Sequence, residues 1–142
     1  MYPEIMVIPM REELVRAGIK ETRTAEEVDA ALTQPGTTMV VVNSICGCAA
    51  GKMRPGVRMA LSSAAHKPDQ IITVFAGQDR EATERARSFF EGQPPTSPAI
   101  AILRDGKLAY LMQRFVIEQA TAQQIGGELV RVFDQLCAPA SA

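Results

Sequence analysis

An α/β fold with a mixed sheet is predicted by three features of the 142-residue sequence. Residues 38–42 and 70–76 are continuous apolar, largely β-branched runs, the pattern of strands covered on both faces. Between them, residues 48–65 turn to Ala, Met, Lys, Arg and Leu, with Val57, Ala60, Leu61 and Ala64 at helical spacing, so the stretch reads as a βαβ unit. Downstream, "SPAIAILRDGKLAYLMQ" places Asp105-Gly106 between two apolar runs, the signature of a tight antiparallel hairpin.

The remaining elements follow in order. Residues 11–17 read as a short helix ended by Gly18. "TAEE", Thr24 to Glu27, is a capping box that opens a second helix over Ala25–Leu32, and Gln34-Pro35-Gly36 stops it. Pro55 is expected to kink or restart the helix that follows Cys48, because its ring removes a backbone donor. Pro68 ends that segment after His66 and Lys67, whose positions suit a helix C-terminus. Asp79 can cap a helix through "REATERARSFFE" that ends at Gly92. A Thr121/Gln124 capping box opens "TAQQIGGELVRVFDQL", with an apolar face of Ile125, Leu129, Val132 and Leu136, which Gly126-Gly127 weakens. After two N-terminal helices the order is β, α, β, α, β, β, α, in one domain spanning residues 1–142. Met6, Met10, Met39, Met53, Met59 and Met112 are expected to fill the core or the walls of a site.

Composition narrows the function. Hydrophobic residues make up 46% and charged residues 22%, the balance of a globular chain. The net charge is −1, with 15 basic residues interleaved among 16 acidic ones, so no nucleic-acid partner is expected. No apolar run approaches the roughly 20 residues of a membrane span, and "MYPEIMVIPMREEL" lacks the regions of a secretory signal. No membrane partner is expected, and the cytoplasm is the expected location. Three cysteines, Cys46, Cys48 and Cys137, are too few and too unevenly placed for a secreted disulfide scaffold. In a reducing compartment, paired cysteines point instead to catalysis or metal.

Cys46 and Cys48 stand one glycine apart where a buried strand gives way to a helix. Beyond the carboxyl ends of strands in an open α/β sheet, helix N-termini present unpaired N–H groups and a positive dipole end, which favour thiolate over thiol. Two cysteines so close can bridge only if the backbone bends sharply, which Gly47 permits, and so small a ring is expected to be readily reduced. Cys46, at the strand exit, is the expected nucleophile, and Cys48, inside the first turn, the resolving thiol. Lys52, Arg54 and Arg58 can add positive potential, although a solvated face is the plainer reading for them. Two rival readings stand beside this one. The cysteines can be inert packing residues, or Cys46, Cys48, His66 and Cys137 can supply four metal ligands, against the usual C-x2-4-C spacing. His66 reads as a helix-terminus residue and Cys137 as a spare or regulatory thiol.

Across "VIPMREELVRAGI", "TAEEV", "NSICGCAAG", "ITVFAGQDREAT", "PPTSPAIAIL", the Arg114 region and the terminal Cys137, the sequence resembles the bacilliredoxin family of Cys-Gly-Cys thiol–disulfide oxidoreductases and isomerases. The resemblance implies a thioredoxin-like mixed sheet flanked by helices, with an N-terminal helical extension, which the order of elements matches. It also implies an enzyme that removes bacillithiol or a similar low-molecular-weight thiol from protein mixed disulfides, using Cys46 and Cys48. Asn43, Ser44 and Gly47 match the family's run into and through the motif, which implies that they help bind the substrate. Pro98 matches its cis-proline, which lies beside the redox cysteines, and Ser97 then offers backbone groups to a bound peptide or thiol. No cofactor takes part in such chemistry. The sequence departs from the family at Phe115, within "RFVIEQ", where members tend to carry histidine. A general protein disulfide isomerase, a metal- or cluster-binding module, and a scaffold that senses oxidation without turnover are the alternatives.

Overall fold

In the computed structural model, which describes residues 1–139, the chain runs α1 (Glu4–Val15), β1 (Lys20–Glu21), α2 (Ala25–Leu32) and β2 (Thr37–Asn43). A π-helical turn (Ala49–Met53) then leads into α3 (Arg54–Ser63), followed by β3 (Gln70–Phe75) and α4 (Arg80–Arg87). The hairpin β4 (Ala99–Arg104) and β5 (Lys107–Met112) precedes α5 (Arg114–Gln119) and α6 (Ala122–Leu136). The five strands form one sheet in the order β1-β3-β2-β4-β5.

β2 is the axis of the molecule. Every residue of it is buried, it runs parallel to β3 with Val40 opposite Ile72, and antiparallel to β4 with Val41 opposite Ile100. Alternation along the strand sends Met39 and Val41 to the face covered by α3 and α6, and Val40 and Val42 to the face covered by α2 and α4. Burial on both faces explains why the run has no polar alternation; each fully buried valine contributes on the order of 1.5–3 kcal/mol. The expected mixed sheet is therefore present, and both capping boxes, Thr24/Glu27 and Thr121/Gln124, form with their hydrogen bonds in place.

The structure corrects the expected elements in several places. α1 begins at Glu4 and runs through Pro9 instead of starting at Arg11, because its later turns are held from outside, by a hydrogen bond from Asn43 Nδ2 to the Met10 carbonyl and by ion pairs on Arg11. β1 is too short to leave a period in the sequence; it exists through its parallel pairing with β3. α4 ends at Arg87, short of Gly92. Asp79 makes no side-chain cap to α4, since its carboxylate takes Arg11 Nη1 at 2.5 Å and Nη2 at 3.1 Å. α5 was not expected at all. The break at Pro55 is a widened turn, in which Arg54 N–H donates to the Ala49 carbonyl five residues back; a wide turn is one way to seat a proline that has no N–H of its own to give. Met6 and Met59 are exposed, unlike the buried Met39, Met53 and Met112.

Glycine in the predicted weak point of α6 has a packing reason. A Cβ at Gly56 of α3 would lie 2.7 Å from Ile125 Cγ2, and one at Gly126 of α6 would lie 3.2 Å from the Gly56 carbonyl oxygen. The helices touch backbone to backbone at this crossing. Gly56→Ala is expected to lower stability by about 1–3 kcal/mol, through overpacking. A fall in the denaturation midpoint checks it, with an unchanged denaturant slope.

Candidate active site

The site is built where β2 stops. Asn43 is its last residue, Ser44 and Ile45 turn the chain, and the Cys46 carbonyl accepts the Ala49 and Ala50 N–H groups at 3.0 and 3.1 Å. Cys46 therefore occupies the position that caps the helix, and Cys48 lies in its first turn. The two Sγ atoms are 2.7 Å apart and both residues are half-buried free thiols. Gly47 is not in the left-handed region, and a Cβ there would meet nothing within 4 Å. The helical turn itself brings the sulfurs together, so the bend does not draw on glycine's freedom as the sequence suggested.

The environments of the two thiols differ. Burial pushes the Cys46 thiol up, but hydrogen bonds from Cys48, Ser44 and the Ala49 and Cys48 backbone outweigh it and hold Cys46 below a thiol's ordinary range. Burial pushes Cys48 up, its hydrogen bond to Cys46 and the Cys46 charge push it further, and Arg114 opposes them. One sulfur is thus readied as a thiolate beside another kept as a thiol that can donate to it.

Arg114, at the start of α5, acts on both sulfurs by its charge. Its Nη1 donates to the Ser97 carbonyl at 3.1 Å and its Nε to Glu118 Oε1 at 2.7 Å. The Ser97–Pro98 peptide is cis. Among the described residues the Ser97 carbonyl is committed to Arg114, while the Ser97 N–H makes no hydrogen bond. Lys52 Nζ donates to the Glu118 carbonyl, tying the π-helical turn to α5. Phe115, 64% exposed, presents its ring to solvent from the same short helix.

Asn43 and Ser44 are buried at 1% and 7% exposure, and their side chains hold the turn that carries Cys46. Asn43 Oδ1 accepts from Ser44 N at 2.9 Å and Ser44 Oγ accepts from Cys46 N at 3.2 Å. Arg54, assigned above to a solvated face, is 3% exposed; Arg58 does face solvent. The missed signal was spacing: Arg54, Val57 and Leu61 follow the i, i+3, i+7 rule of one buried helical stripe. Arg114 left no such trace, because its role arises from a helix that periodicity did not show.

Cys137 is held far away. Its neighbours are Thr37, Asp69 and Arg104, at the opening end of β2, whereas Cys46 follows the closing end, about 20 Å along a seven-residue strand. His66 Nδ1 lies 3.0 Å from Asp134 Oδ1 on α6, also away from the thiol pair. The four-ligand metal set is not assembled, and among the described residues no group of three or more His, Cys, Asp or Glu is placed to hold a metal ion. No described helix is long and apolar enough to cross a membrane.

A family profile described as Disulphide isomerase matches residues 2–137. A bacilliredoxin of Koribacter versatilis is 62% identical over 138 residues, covering 96% of this chain and 94% of that one. A bacilliredoxin of Salinibacter ruber is 49% identical over 138 residues, covering 96% and 81%. Among solved structures, the oxidised thioredoxin of Plasmodium falciparum aligns with a TM-score of 0.56 at 14% identity, covering 81% of this chain and 97% of that one. Mitochondrial thioredoxin 3 of Saccharomyces cerevisiae aligns at 0.54 and 15%, covering 84% and 96%. At such identities the two thioredoxins speak for the fold alone, and the fold is thioredoxin-like.

Proposed function

The chain belongs to the disulphide isomerase family, with relatives named bacilliredoxins, and is a thiol–disulfide oxidoreductase; from that premise we propose that it removes a low-molecular-weight thiol from protein mixed disulfides, with Cys46 as nucleophile and Cys48 as resolving thiol. The observation that carries the reading is the asymmetry of the pair: sulfurs 2.7 Å apart, Cys46 held down and Cys48 held up.

The steps conserve atoms and electrons. The Cys46 thiolate attacks the small-thiol sulfur of a protein–S–S–R bond; a Cys46–S–S–R bond forms, and the client leaves as its thiolate. Cys48 then loses its proton and attacks Cys46 Sγ, releasing R–S⁻ and leaving the Cys46–Cys48 pair oxidised. Two electrons from external thiols of the same small class return the pair to the reduced state. While Cys46 is a thiolate, Cys48 stays protonated; once Cys46 is in a mixed disulfide, its negative charge is gone and that part of the obstacle to ionising Cys48 falls with it, while burial remains and Arg114 opposes it. That order makes the resolving step follow the capture step.

Substrate groups have places to go. The free Ser97 N–H is a donor for a substrate carbonyl, and the Arg114 charge beside both sulfurs favours an anionic small thiol, of which bacillithiol is one. On this reading the protein works in a reducing compartment, which we propose to be the cytoplasm. A Cys48→Ser variant exposed to a client protein carrying the small thiol is expected to accumulate a Cys46–S–S–R adduct, seen as a mass increase equal to the small thiol less two hydrogens. An adduct on any other residue, or none, would refute the assignment. A general isomerase would instead reshuffle scrambled protein disulfides faster than it releases the small thiol.

A further inference from the structure

The guanidinium of Arg54 sits at the centre of a buried hydrogen-bonded path that the exchange chemistry does not itself require. Its Nε donates to Glu13 Oε1 of α1 at 2.9 Å, and its Nη1 donates to Asn43 Oδ1 and to the Ser44 carbonyl, each at 2.9 Å. Asn43 Nδ2 reaches back to the Met10 carbonyl of α1 at 3.1 Å. Arg58 of α3 holds the second oxygen of Glu13 at 3.0 Å. From Ser44 the path continues through its hydroxyl to the Cys46 N–H at 3.2 Å.

We propose that Arg54 and Glu13 are positioning residues for Cys46, which makes the N-terminal helix part of the redox site: together they clamp Asn43 and Ser44, and that segment holds the Cys46 sulfur over the amides of the first helical turn. The inference deepens the proposed function and rests on Cys46 being the nucleophile. Its physical basis is the arginine fork. One planar group meets three acceptors, from α1, from the end of β2 and from the loop. A lysine ammonium in its place is a point charge on a flexible stem and does not span the three in one plane. Burying a guanidinium costs desolvation that one partly exposed partner does not repay alone, so Nε is spent on Glu13 and Nη1 on Asn43 and the loop. Without Arg54 the Ser44 carbonyl and Asn43 Oδ1 each lose a donor beside the nucleophile. Other groups act on Cys46: the Cys48 thiol from its own turn, by its hydrogen bond, and Arg114 from α5, by its charge. Lys52 is occupied by the Glu118 carbonyl. Those groups stay in place when the clamp is altered.

The test is site-resolved alkylation of Cys46 by iodoacetamide against pH, read by mass spectrometry on the reduced full-length chain, for wild type, Arg54→Lys and Glu13→Gln. The probe is small and neutral, so the readout does not depend on any physiological substrate. Arg54→Lys is expected to raise the midpoint by about one pH unit and to slow alkylation at pH 7 several-fold. Glu13→Gln keeps the shape of the carboxylate and is expected to raise the midpoint by a smaller step. Glu13 is partly exposed, so this variant carries the test if Arg54→Lys fails to fold. A folded Glu13→Gln protein with the wild-type midpoint overturns the role of the N-terminal helix, and folded variants of both residues with it overturn the clamp as a whole. A wild-type Cys46 that titrates like a free cysteine sinks the nucleophile reading instead, which separates the two failures.

Discussion

Cys46→Ser is expected to lower release of a small thiol from a protein mixed disulfide by at least about a thousandfold, to the background of the assay. A serine hydroxyl has no accessible anion near neutral pH, and the amides and thiol gathered at this position have no thiolate to stabilise. In the wild type, the rate should rise with pH and level off below the range where a free thiol, near pKa 8.5, would do so, since Cys46 is held down. Cys48→Ala removes a donor to the Cys46 sulfur and should move the rise to higher pH in Cys46 alkylation, whereas Cys48→Ser, which keeps a hydroxyl donor, should move it less. The same shift has a stability consequence. A thiol whose folded pKa is depressed stabilises the fold as pH climbs from that folded value toward its unfolded value near 8.5. The oxidised protein has no thiolate and gains nothing there. The thermal midpoint of the reduced form should therefore rise relative to the oxidised form across that window. Above it Cys48, held up by burial and by Cys46, acts in the opposite sense. A difference that stays flat with pH would contradict this account. Selective stabilisation of the thiolate also makes the pair more oxidising, as suits a centre that must be easily re-reduced.

Arg11→Met is expected to cost about 2–4 kcal/mol, the largest effect on stability from a single change outside the hydrophobic core. Arg11 is 4% exposed and serves Glu4 at 2.8 Å, Glu21 at 3.0 Å and Asp79 at 2.5 Å. Its guanidinium carbon also lies 5.2 Å from the centroid of the Phe75 ring. Removing it leaves Asp79 without its cation, while Glu4 and Glu21 keep Arg23, at 3.5 and 2.5 Å. The estimate sits toward the lower end for a broken buried pair, because Glu4 is 44% exposed and can turn to water while Asp79, at 13%, cannot. The variant should also soften the acid limb. Glu4 is held below its ordinary value by Gln78 first and Arg11 next, so stability falls as pH drops through that lowered value, and part of this dependence should vanish with Arg11. Urea titrations at pH 7 and pH 4 check both statements. An unchanged midpoint at pH 7 would show that α1 is held by its apolar contacts alone.

Much of the fold was legible because it rests on local chemistry. Two uninterrupted apolar runs must be covered on both faces, which puts β2 and β3 inside a sheet. The Thr24/Glu27 and Thr121/Gln124 boxes each satisfy orphan donors with residues three apart in the chain. Asp105 and Gly106 adopt positive φ, at 52° and 79°, as the tight turn demands. What escaped were elements whose support comes from elsewhere. β1 pairs only two residues, Lys20 with Ile72 and Glu21 with Thr73. α1 continues through Pro9 because β2 and the Arg11 cluster hold it, and α5 is tied by Lys52 and Arg114.

The thiol pair shows the same division. Two cysteines a glycine apart at a strand-to-helix junction could be read from the chain alone, since backbone geometry at a helix start is the same in any protein. That Asn43 and Ser44 face inward, that Arg54 is buried, that the Arg114 charge reaches both sulfurs and that Cys137 lies at the other end of β2 are decided only by folding. The sequence by itself determined that two thiols stand one glycine apart at the end of a buried strand. The tertiary structure decided what surrounds the pair, Arg114 of α5 on one side and Arg54 with Glu13 of α1 behind the loop, because these groups lie far apart in the chain and a thiol answers to distance in space.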